Sequence, residues 1–547
     1  MTHQPPGFRS ADVAVLWAPV HALPEAPLRA EPKQTADDLR RRQAGAVPGY
    51  PVRMGAGDAP FGPTAGVAAI GFVDDPADAK VRLGDQHRRA ARPSPEWLTG
   101  IIRECEQRPE VLAGLRVVFN NTTRPAHEGT APDPSLPRTA AIRAVAGLAD
   151  TPILFRDLAA ELARAHPAAP PDAVVAVLRQ LVAEEVLLTE LRPGVATADP
   201  LDHVLTVLAD APDGVPDALD AVRTVLTRYA AQPPAESRRA LTAVCERMRR
   251  LSPVTRPVRL DLALDADIRL PRAVAEEAEH AAELLWRLSP RPPATASLRR
   301  YHRDFLDRYG EGTLVAVRDL LDPRTGLGPT GAGFGPPEHD ADRDRVLADL
   351  VREAASTGAP EVELTDDHVL LTGHAHTEGT RPASLDLHAH LLAESVEALQ
   401  DGDFRLVVID APDQAAATFG RYAHLFDDDT REVFGAVAKA GVMTDPATVV
   451  AQLAYPAHGN AVSHAPPWTS NVLPVGSFAE LADPAVLRLD DLAVGGDAHG
   501  MFVVDAASGL KVAPTTFHPL DPHDAAPEVA RFLREVGGVG VRGWRPW

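Results

Sequence analysis

Apolar and polar residues follow one another along this chain in two recurring patterns, one typical of helices and one typical of strands. Helical spacing, or a helix-like polar composition, predicts helices at 31–43, 95–108, 138–148, 154–165, 172–184 and 338–360. Apolar runs bounded by Pro or Gly predict strands at the start of 11–24, at 112–120, 256–264, 361–372 and 404–410. From residue 448 onward short strands alternate with turns, and Val503 to Val512 predicts a hairpin that turns at Ser508 and Gly509. These patterns together favour an α+β protein.

The clearest local unit covers residues 138–193, where three short helices precede the strand-like VLLTELRP. Asp172 follows two prolines and is predicted to be the N-cap of the third helix. The order of elements is that of a winged helix-turn-helix. DNA binding is disfavoured, because Arg179 is the one cation of a third helix that also carries acidic residues. An extended peptide paired with the wing fits the charge better. The residues expected to contact that peptide are Arg179, Leu187, Leu188, Thr189 and Glu190.

Length and composition narrow the class of protein further. The chain has 547 residues, of which 45% are hydrophobic, so two to four globular domains are expected. Two cysteines, Cys105 and Cys245, argue against a disulfide framework, and their number excludes a metal site built on cysteine. The N-terminal sequence lacks the pattern of a signal peptide, and no apolar run approaches the roughly 18 residues of a membrane span. A cytoplasmic location is therefore expected.

The formal net charge of −21 argues against a general nucleic-acid-binding surface. Positive charge concentrates near the N-terminus, in 40–42, at Arg53 and in KVRLGDQHRRAAR at 80–92. A solvated surface of mixed charge is the favoured interpretation of this run, and a local basic path for phosphates is the alternative.

Histidines provide a second candidate for chemistry, in HAH and LHAH. Alternate residues of a strand share a face, so a metal site is geometrically conceivable. Surface histidines are favoured, because no acidic or cysteine ligand pattern joins them. No G-x-S-x-G sequence indicates a hydrolase. The four histidines are His374, His376, His388 and His390.

Several short motifs, in conserved order from about residue 92 to 535, resemble the N-terminal region of lantibiotic dehydratases, which modify Ser and Thr in ribosomally made peptides. The most distinctive is YHRDFLDRYGEGTLVAVRDLLDPRTGLG at 301–328. Others are RPSPEWL at 92–98, DTPILFRDLAAEL to LLTELRP at 150–193, RPVRLDLAL, DGDFRLVVID, FGRYAHLF, NVLP, LDDLAVGG and KVAPTTFHPL.

The resemblance implies tRNA-dependent transfer of glutamate to Ser or Thr of a precursor peptide, the first step of dehydration. Charged tRNA, a leader peptide and a partner chain for β-elimination are then expected, with no resident cofactor, no metal, no DNA partner and no membrane span. The residues implied to contact the aminoacyl-tRNA 3′ end or the glutamate are Arg53, Asp261 and Arg421. The spacing of residues around Asp261 by itself favours a surface salt bridge at that position. For Arg421, a structural role, as a helix cap or in an ion pair with residues 427–429, is as well supported as the functional one.

The sequence departs from the family pattern at three polar positions, where Gly57, Ala59 and Trp17 replace an arginine, a threonine and an arginine. Losing a charged partner of a phosphate costs about 1.5–3 kcal/mol per hydrogen bond. A non-catalytic peptide-binding scaffold is therefore an alternative function, and a peptide aminoacyl-tRNA ligase that adds another amino acid is a third.

The fold expected is multidomain α+β, with mixed or antiparallel sheets, flanking helices and an embedded winged helix-turn-helix element for peptide recognition. Four segments are expected. Residues 1–137 begin a glutamylation-like domain, 138–193 recognise the leader peptide, 194–400 are rich in helices, and 401–547 are rich in strands and end as if truncated.

Overall fold

The computed structural model describes residues 8–19, 65–123, 140–194, 197–211, 214–229, 234–289, 296–329, 341–365, 367–368, 381–412, 414–441, 447–456, 465–480, 483–520 and 526–537. Element names below follow chain order within these ranges. Among the described residues, no helix is both long and apolar enough to cross a bilayer.

A mixed sheet forms the N-terminal part of the structure. Four of its strands lie within residues 13–93 and two lie within residues 258–271. Their order in the sheet is β3-β9-β2-β8-β4, and β1 also pairs with β2. Their bounds are β1 Val13–Pro19, β2 Ala65–Val73, β3 Lys80–Leu83, β4 Arg88–Pro93, β8 Val258–Ala263 and β9 Ala266–Pro271. The register pairs β4 antiparallel with β8, so that two segments about 170 residues apart in sequence lie side by side.

A helical unit lies between the two halves of this sheet in sequence. It carries the three-stranded sheet β6-β5-β7 and packs around one large apolar core. Its helices are α1 Pro95–Gln107, α2 Pro109–Leu112, α3 Ala140–Leu148, α4 Phe155–Ala165, α5 Pro171–Ala183, α6 Pro200–Val207, α7 Val215–Tyr229 and α8 Pro234–Leu251, and its strands are β5 Arg116–Phe119, β6 Ile153–Leu154 and β7 Leu187–Thr189.

The RPSPEWL motif has a structural purpose in this unit. Ser94 caps α1 by accepting a hydrogen bond from the Trp97 backbone N–H at 3.2 Å. The Trp97 ring is fully buried and its indole N–H donates to the Met248 carbonyl at 2.8 Å. The motif therefore starts α1 and ties it to α8.

A second large core lies between the C-terminal sheet and the helices that flank it, and the other elements pack in smaller apolar clusters. The C-terminal sheet has the order β10-β15-β16-β17-β13-β14, and a separate hairpin pairs β11 with β12. The strands are β10 Val315–Ala316, β11 His388–Leu392, β12 Arg405–Asp410, β13 Thr448–Ala454, β14 Asn471–Pro474, β15 Leu492–Asp497, β16 Gly500–Asp505 and β17 Lys511–Thr515. The helices are α9 Arg272–Leu288, α10 Ala296–Tyr309, α11 Val317–Leu321, α12 Ala341–Thr357, α13 Val396–Gln400, α14 Asp428–Ala440 and α15 Glu528–Gly537, and a 3₁₀ helix covers Gly420–Leu425.

In the segment 301–328, side chains of helix α10 donate hydrogen bonds to the backbone of the turn at 325–328. Tyr301 donates to the Gly328 carbonyl at 2.8 Å, and Arg308 donates to the carbonyls of Gly326 and Thr325 at 2.9 and 2.7 Å. Gly328 has a φ of +74°, which a residue with a Cβ adopts at a cost. The turn that follows helix α10 thus accounts for Tyr301, Arg308 and Gly328 of this motif.

Most elements expected from the sequence are present, including the hairpin at 503–512, whose turn residue Gly509 has a φ of +73°. Two local expectations were wrong. Pro170, without a side-chain cap, stands at the N-cap of α5, and Asp172 lies in its first turn, because Pro171 already fits the first helical position. Residues 361–365 do not form a strand. The predicted helix at 31–43 lies outside the described residues.

Replacing Gly326 by alanine should destabilise the protein by about 1–3 kcal/mol, because the new Cβ would overpack a closed turn. An added Cβ there would lie 2.0 Å from the Asp319 carbonyl oxygen. Chemical denaturation measures the effect. The control is Gly147→Ala in helix α3, where an added Cβ meets nothing within 4 Å. Equal stability of the two variants would contradict the explanation that the close packing of this turn excludes a Cβ at position 326.

Candidate functional site

One face of the N-terminal sheet carries a row of charged residues. Arg88, Ala90 and Arg92 of β4 lie opposite Ala263, Asp261 and Arg259 of β8. Because alternate residues of a strand point to the same side, Arg88, Arg92, Arg259 and Asp261 share one face. Two strands therefore bring three guanidinium groups around one carboxylate.

The 3₁₀ helix Gly420–Leu425 covers this face. Arg88 donates a hydrogen bond to the Leu425 carbonyl, and Arg259 donates to the Arg421 carbonyl at 3.2 Å. His424 places Nε2 3.2 Å from Asp261 Oδ2. We call the group formed by Arg88, Arg92, Arg259, Asp261, Arg421, Tyr422 and His424 the Asp261 cluster.

Asp261 is the electrostatic centre of the cluster. Its side chain is 1% exposed, and its Oδ2 accepts a hydrogen bond from Arg259 Nε at 2.8 Å. Burial by itself would raise the pKa of Asp261, but His424 and Arg259 together hold the pKa well below the ordinary carboxyl range. The residue is therefore an ionised, buried carboxylate, and the expected surface salt bridge was wrong.

The second oxygen of this carboxylate, Asp261 Oδ1, is buried and has no hydrogen-bond partner among the residues that the structure describes. A buried acceptor in that state costs free energy unless a ligand or water completes it.

Arg421 shows a similar arrangement. Its guanidinium lies 4.4 Å above the Tyr422 ring and donates to the Tyr422 hydroxyl. Its Nε is buried and unpartnered within the described part of the chain. The alternatives of a helix cap or pairing with residues 427–429 were wrong, because Asp427 caps α14 through Thr430 and Asp428 pairs with Arg431.

Arg92 completes the cluster on the side of α6. It donates to the Ala198 carbonyl at 3.5 Å, and burial lowers its pKa from the ordinary arginine value. Arg89, between the two cluster arginines, points to the other face and lies over the Tyr229 ring. The basic run at 80–92 is thus divided, and its last part belongs to a partly buried site.

Trp17 extends the cluster along β1. Its ring centroid lies 5.9 Å from the Tyr422 ring and 5.9 Å from the His388 ring. The side chain remains 39% exposed. The position where the family pattern has an arginine is therefore occupied by an aromatic ring that packs against Tyr422 and His388.

Of the three residues assigned by resemblance, Asp261 and Arg421 are joined through Arg259, which pairs with the Asp261 carboxylate and donates to the Arg421 carbonyl. Arg53 lies outside the described residues, as do Gly57 and Ala59. The sequence analysis missed Arg88, Arg92, Arg259 and His424. The signal for Arg88 and Arg92 was their i, i+4 spacing in RRAAR, and the signal for Arg259 was its i, i+2 spacing with Asp261. Both have meaning only once the two strands are known to pair.

The residues assigned to peptide contact are engaged within the protein. Leu187, Leu188 and Thr189 are 0%, 3% and 0% exposed. The Thr189 hydroxyl donates to buried Glu106 at 2.7 Å, Glu190 accepts from Arg116 Nε at 2.6 Å, and Arg179 donates to the Gln107 carbonyl at 2.9 Å. Their side chains hold β7 against α1 and β5, and their contact with a peptide stays a prediction.

The histidines are separated by the fold. His388 is partly buried beside Thr418, while His390 is exposed on the same strand. His374 and His376 lie outside the described residues. Within the described ranges no group of three or more His, Cys, Asp or Glu side chains could hold a metal ion.

Comparison with known proteins assigns the family. Residues 14–547 match the family model "Lantibiotic dehydratase, N terminus". The subtilin biosynthesis protein SpaB of Bacillus subtilis is 22% identical, with 97% of this chain and 53% of SpaB covered. The epidermin biosynthesis protein EpiB of Staphylococcus epidermidis is 21% identical, with 69% of this chain and 39% of EpiB covered. The chain belongs to the lantibiotic dehydratase N-terminus family.

Solved structures agree with this assignment. The tRNA-dependent lantibiotic dehydratase MibB from Microbispora sp. 107891 matches with a TM-score of 0.82 and 30% identity, over 99% of this chain and 57% of MibB. The glutamylation domain of TbtB from thiomuracin biosynthesis, bound to 5′-phosphodesmethylglutamycin, has a TM-score of 0.59 and 20% identity, over 93% of this chain and 67% of TbtB, and shows the shared fold. The chain spans about half the length of the curated relatives it matches.

The buried ionisation of Asp261 predicts a pH-dependent stability difference. Since the folded pKa lies below the unfolded one, the stabilisation is complete at neutral pH and is lost progressively as pH falls below about 5. The stability gap between wild type and Asp261→Asn should therefore be constant from pH 8 to 6 and narrow mainly below about pH 4, as measured by denaturant unfolding down to about pH 2.5. Leu260→Ala, on the same strand, removes no charge and should give a gap that does not vary with pH. A gap for Asp261→Asn as wide at about pH 2.5 as at pH 7 would refute the assignment.

Proposed function

We propose that this chain transfers an aminoacyl group, glutamate in the leading case, from charged tRNA to Ser or Thr hydroxyls of a precursor peptide. The observation that carries the proposal is that Asp261 Oδ1 and Arg421 Nε, two buried atoms of the Asp261 cluster, have no hydrogen-bond partner among the described residues; His424 Nε2 is a third such atom. Asp261 Oδ1 is a negatively charged acceptor and Arg421 Nε is a positively charged donor. The ligand that complements both charges is one that carries a cation and an anion.

A glutamyl ester meets that requirement. Its α-ammonium group would donate to Asp261 Oδ1, and its side-chain carboxylate would accept from Arg421, whose planar fork suits carboxylates. Arg88 and Arg92 would supply positive potential for the nearest phosphates, in a chain whose net charge is −21. Arg53 joins this set on the family resemblance alone. We propose aminoacyl-tRNA as co-substrate and no resident cofactor.

The reaction exchanges one ester for another. The peptide hydroxyl oxygen forms a bond to the ester carbonyl carbon, the bond from that carbon to the tRNA ribose oxygen breaks, and the hydroxyl proton ends on the ribose oxygen. The site must therefore hold the ester rigidly and offer a proton acceptor. The similarity to MibB, a tRNA-dependent lantibiotic dehydratase, supports this reaction. We propose that β-elimination, the step after transfer, uses a partner chain.

Peptide recognition belongs to the helical unit at 138–193, which we propose is a winged helix-turn-helix recognition element. Helix α5 supports this through its outer face, where Ala173, Ala176 and Val177 are exposed at helical spacing and Val177 is 48% exposed. Arg179 on the same helix already binds the Gln107 carbonyl, which leaves that helix without a free cation for phosphate. An apolar strip of this kind suits a hydrophobic side chain of a leader peptide.

The rate of aminoacyl transfer should fall when either Asp261 or Arg421 is substituted. Arg421→Lys and Asp261→Asn should each lower transfer roughly 10- to 100-fold, since a charge-assisted hydrogen bond is worth about 1.5–3 kcal/mol. The assay incubates the full chain with precursor peptide, glutamyl-tRNA and an elimination-domain partner, and reads adduct formation by intact mass.

The control for this assay is Arg405→Lys, an exposed arginine on β12 away from the cluster. It should transfer like wild type. Wild-type protein that forms no adduct with any partner would refute the transfer function, and unchanged transfer by both cluster variants would refute the assignment of the site.

Leader-peptide affinity should depend on the outer face of α5. Val177→Asp should weaken binding roughly tenfold or more, because it places a charge in an apolar contact. Calorimetric titration with the leader peptide measures this, and Val351→Asp on α12, a residue that is 64% exposed, is the matched control. Equal affinity of the two variants would exclude this face as the contact.

A further inference from the structure

A chain of hydrogen bonds beside the Asp261 cluster is not used by the proposed binding roles. It joins Asp386, Thr418 and His388, and it reaches the cluster through the Trp17 ring, which lies 5.9 Å from the rings of both His388 and Tyr422. His388 begins β11, so its backbone is fixed by pairing with Asp410 of β12.

The donors and acceptors of the hydrogen bonds that join Asp386, Thr418 and His388 are defined. Asp386 accepts from the backbone N–H groups of Ala416 and Thr418, each at 3.1 Å, and from the Thr418 hydroxyl at 2.7 Å. Burial raises the pKa of Asp386, and the hydrogen bonds from Thr418 and Ala416 oppose that shift. Both carboxylate oxygens act as acceptors, which is the hydrogen-bond pattern of the ionised form. The Thr418 hydroxyl proton is thereby committed to Asp386, and its oxygen is left to accept from another donor.

That donor is His388. Its Nε2 lies 3.2 Å from Thr418 Oγ1, and only a protonated Nε2 can donate to an oxygen that has already given its own proton away. The ring is thus fixed as the Nε2–H tautomer, with the lone pair on Nδ1. Among the described residues no group hydrogen-bonds Nδ1.

The loop that holds Thr418 is built with strain. Ala416 is buried and has a φ of +71°, a conformation that residues with a Cβ rarely adopt. Its N–H is held by Asp386, and the neighbouring Ala415 N–H donates to the Ser384 hydroxyl at 2.9 Å. The fold therefore maintains an unfavourable backbone conformation in the loop that presents Thr418 to His388.

We propose that His388 accepts the proton of the Ser or Thr hydroxyl during aminoacyl transfer, and that Thr418 and Asp386 position its ring. This inference rests on the proposed transfer function. As the hydroxyl oxygen bonds to the ester carbonyl carbon, its proton moves to His388 Nδ1. The imidazolium returns that proton to the ribose oxygen when the ester bond breaks, so no other reactant is needed.

The charges around the ring suit a base of this kind. Burial lowers the pKa of His388, which keeps the ring neutral and able to accept a proton at neutral pH. The carboxylates of Asp386 and Asp410 oppose that shift and would stabilise the imidazolium once it forms. The Trp17 ring on its remaining side carries no charge.

Single-turnover transfer by His388→Ala is the test, with wild type and His390→Ala in parallel. His390 is the same residue type two positions along β11 and is exposed. His388→Ala should lower the rate roughly 100-fold or more, the usual contribution of a general base. Its affinity for a non-reacting glutamyl-adenosine amide should be unchanged, added imidazole should restore part of the rate, and His390→Ala should behave like wild type.

Thr418→Val keeps the His388 ring and removes the hydroxyl that accepts from its Nε2. It should therefore shift the acid limb of the pH–rate profile without abolishing transfer. A purely structural histidine would instead lose probe affinity and thermal stability together with rate, with no imidazole rescue, and that result would overturn the proposal. Wild-type rate in His388→Ala would also overturn it while leaving the transfer function intact. Absence of transfer by wild type would overturn both.

Discussion

The burial of Asp261 is the constraint on which the rest of the site depends. A carboxylate that is 1% exposed must be paired, and Arg259, two residues earlier on the same strand, supplies the partner. Arg259 also donates to the Arg421 carbonyl, so the same guanidinium holds the 3₁₀ helix over the sheet. One ion pair therefore fixes the position of β8 relative to the segment that carries Arg421 and His424.

The geometry around this pair joins distant parts of the sequence. Strand β1 contributes Trp17, β4 contributes Arg88 and Arg92, and the 3₁₀ helix contributes Arg421. Arg88 and Arg92 each donate to a backbone carbonyl and Arg421 donates to the Tyr422 hydroxyl, so the cationic groups are positioned before any ligand arrives. Such preorganisation is what electrostatic catalysis requires. It also concentrates positive charge at one place in an acidic protein, where an anionic tRNA end would otherwise be repelled.

Local sequence patterns predicted much of the fold, because helical spacing, caps and turn residues act over a few positions. The hairpin at Gly509 and the family segment at 301–328 are of this kind. The site was harder to predict. That Asp261 is buried follows from the pairing of β8 with β4, and spacing alone placed it at the surface. Likewise Leu187, Leu188 and Thr189 look like an available wing, yet packing against α1 buries them. Motif order predicted the family and the two residues Asp261 and Arg421; only tertiary pairing identified their neighbours.

The central claim is that the Asp261 cluster holds the two charged ends of an aminoacyl group. Calorimetric titration with three non-reacting adenosine amides tests it directly: one bearing glutamate, one bearing glutamine, and one bearing the glutamate skeleton without its α-amino group. Tight binding of the first is expected, with a loss of roughly tenfold or more for each of the others, since each removes one charge-assisted hydrogen bond. Equal affinity for all three, or no affinity for any, would contradict the assignment.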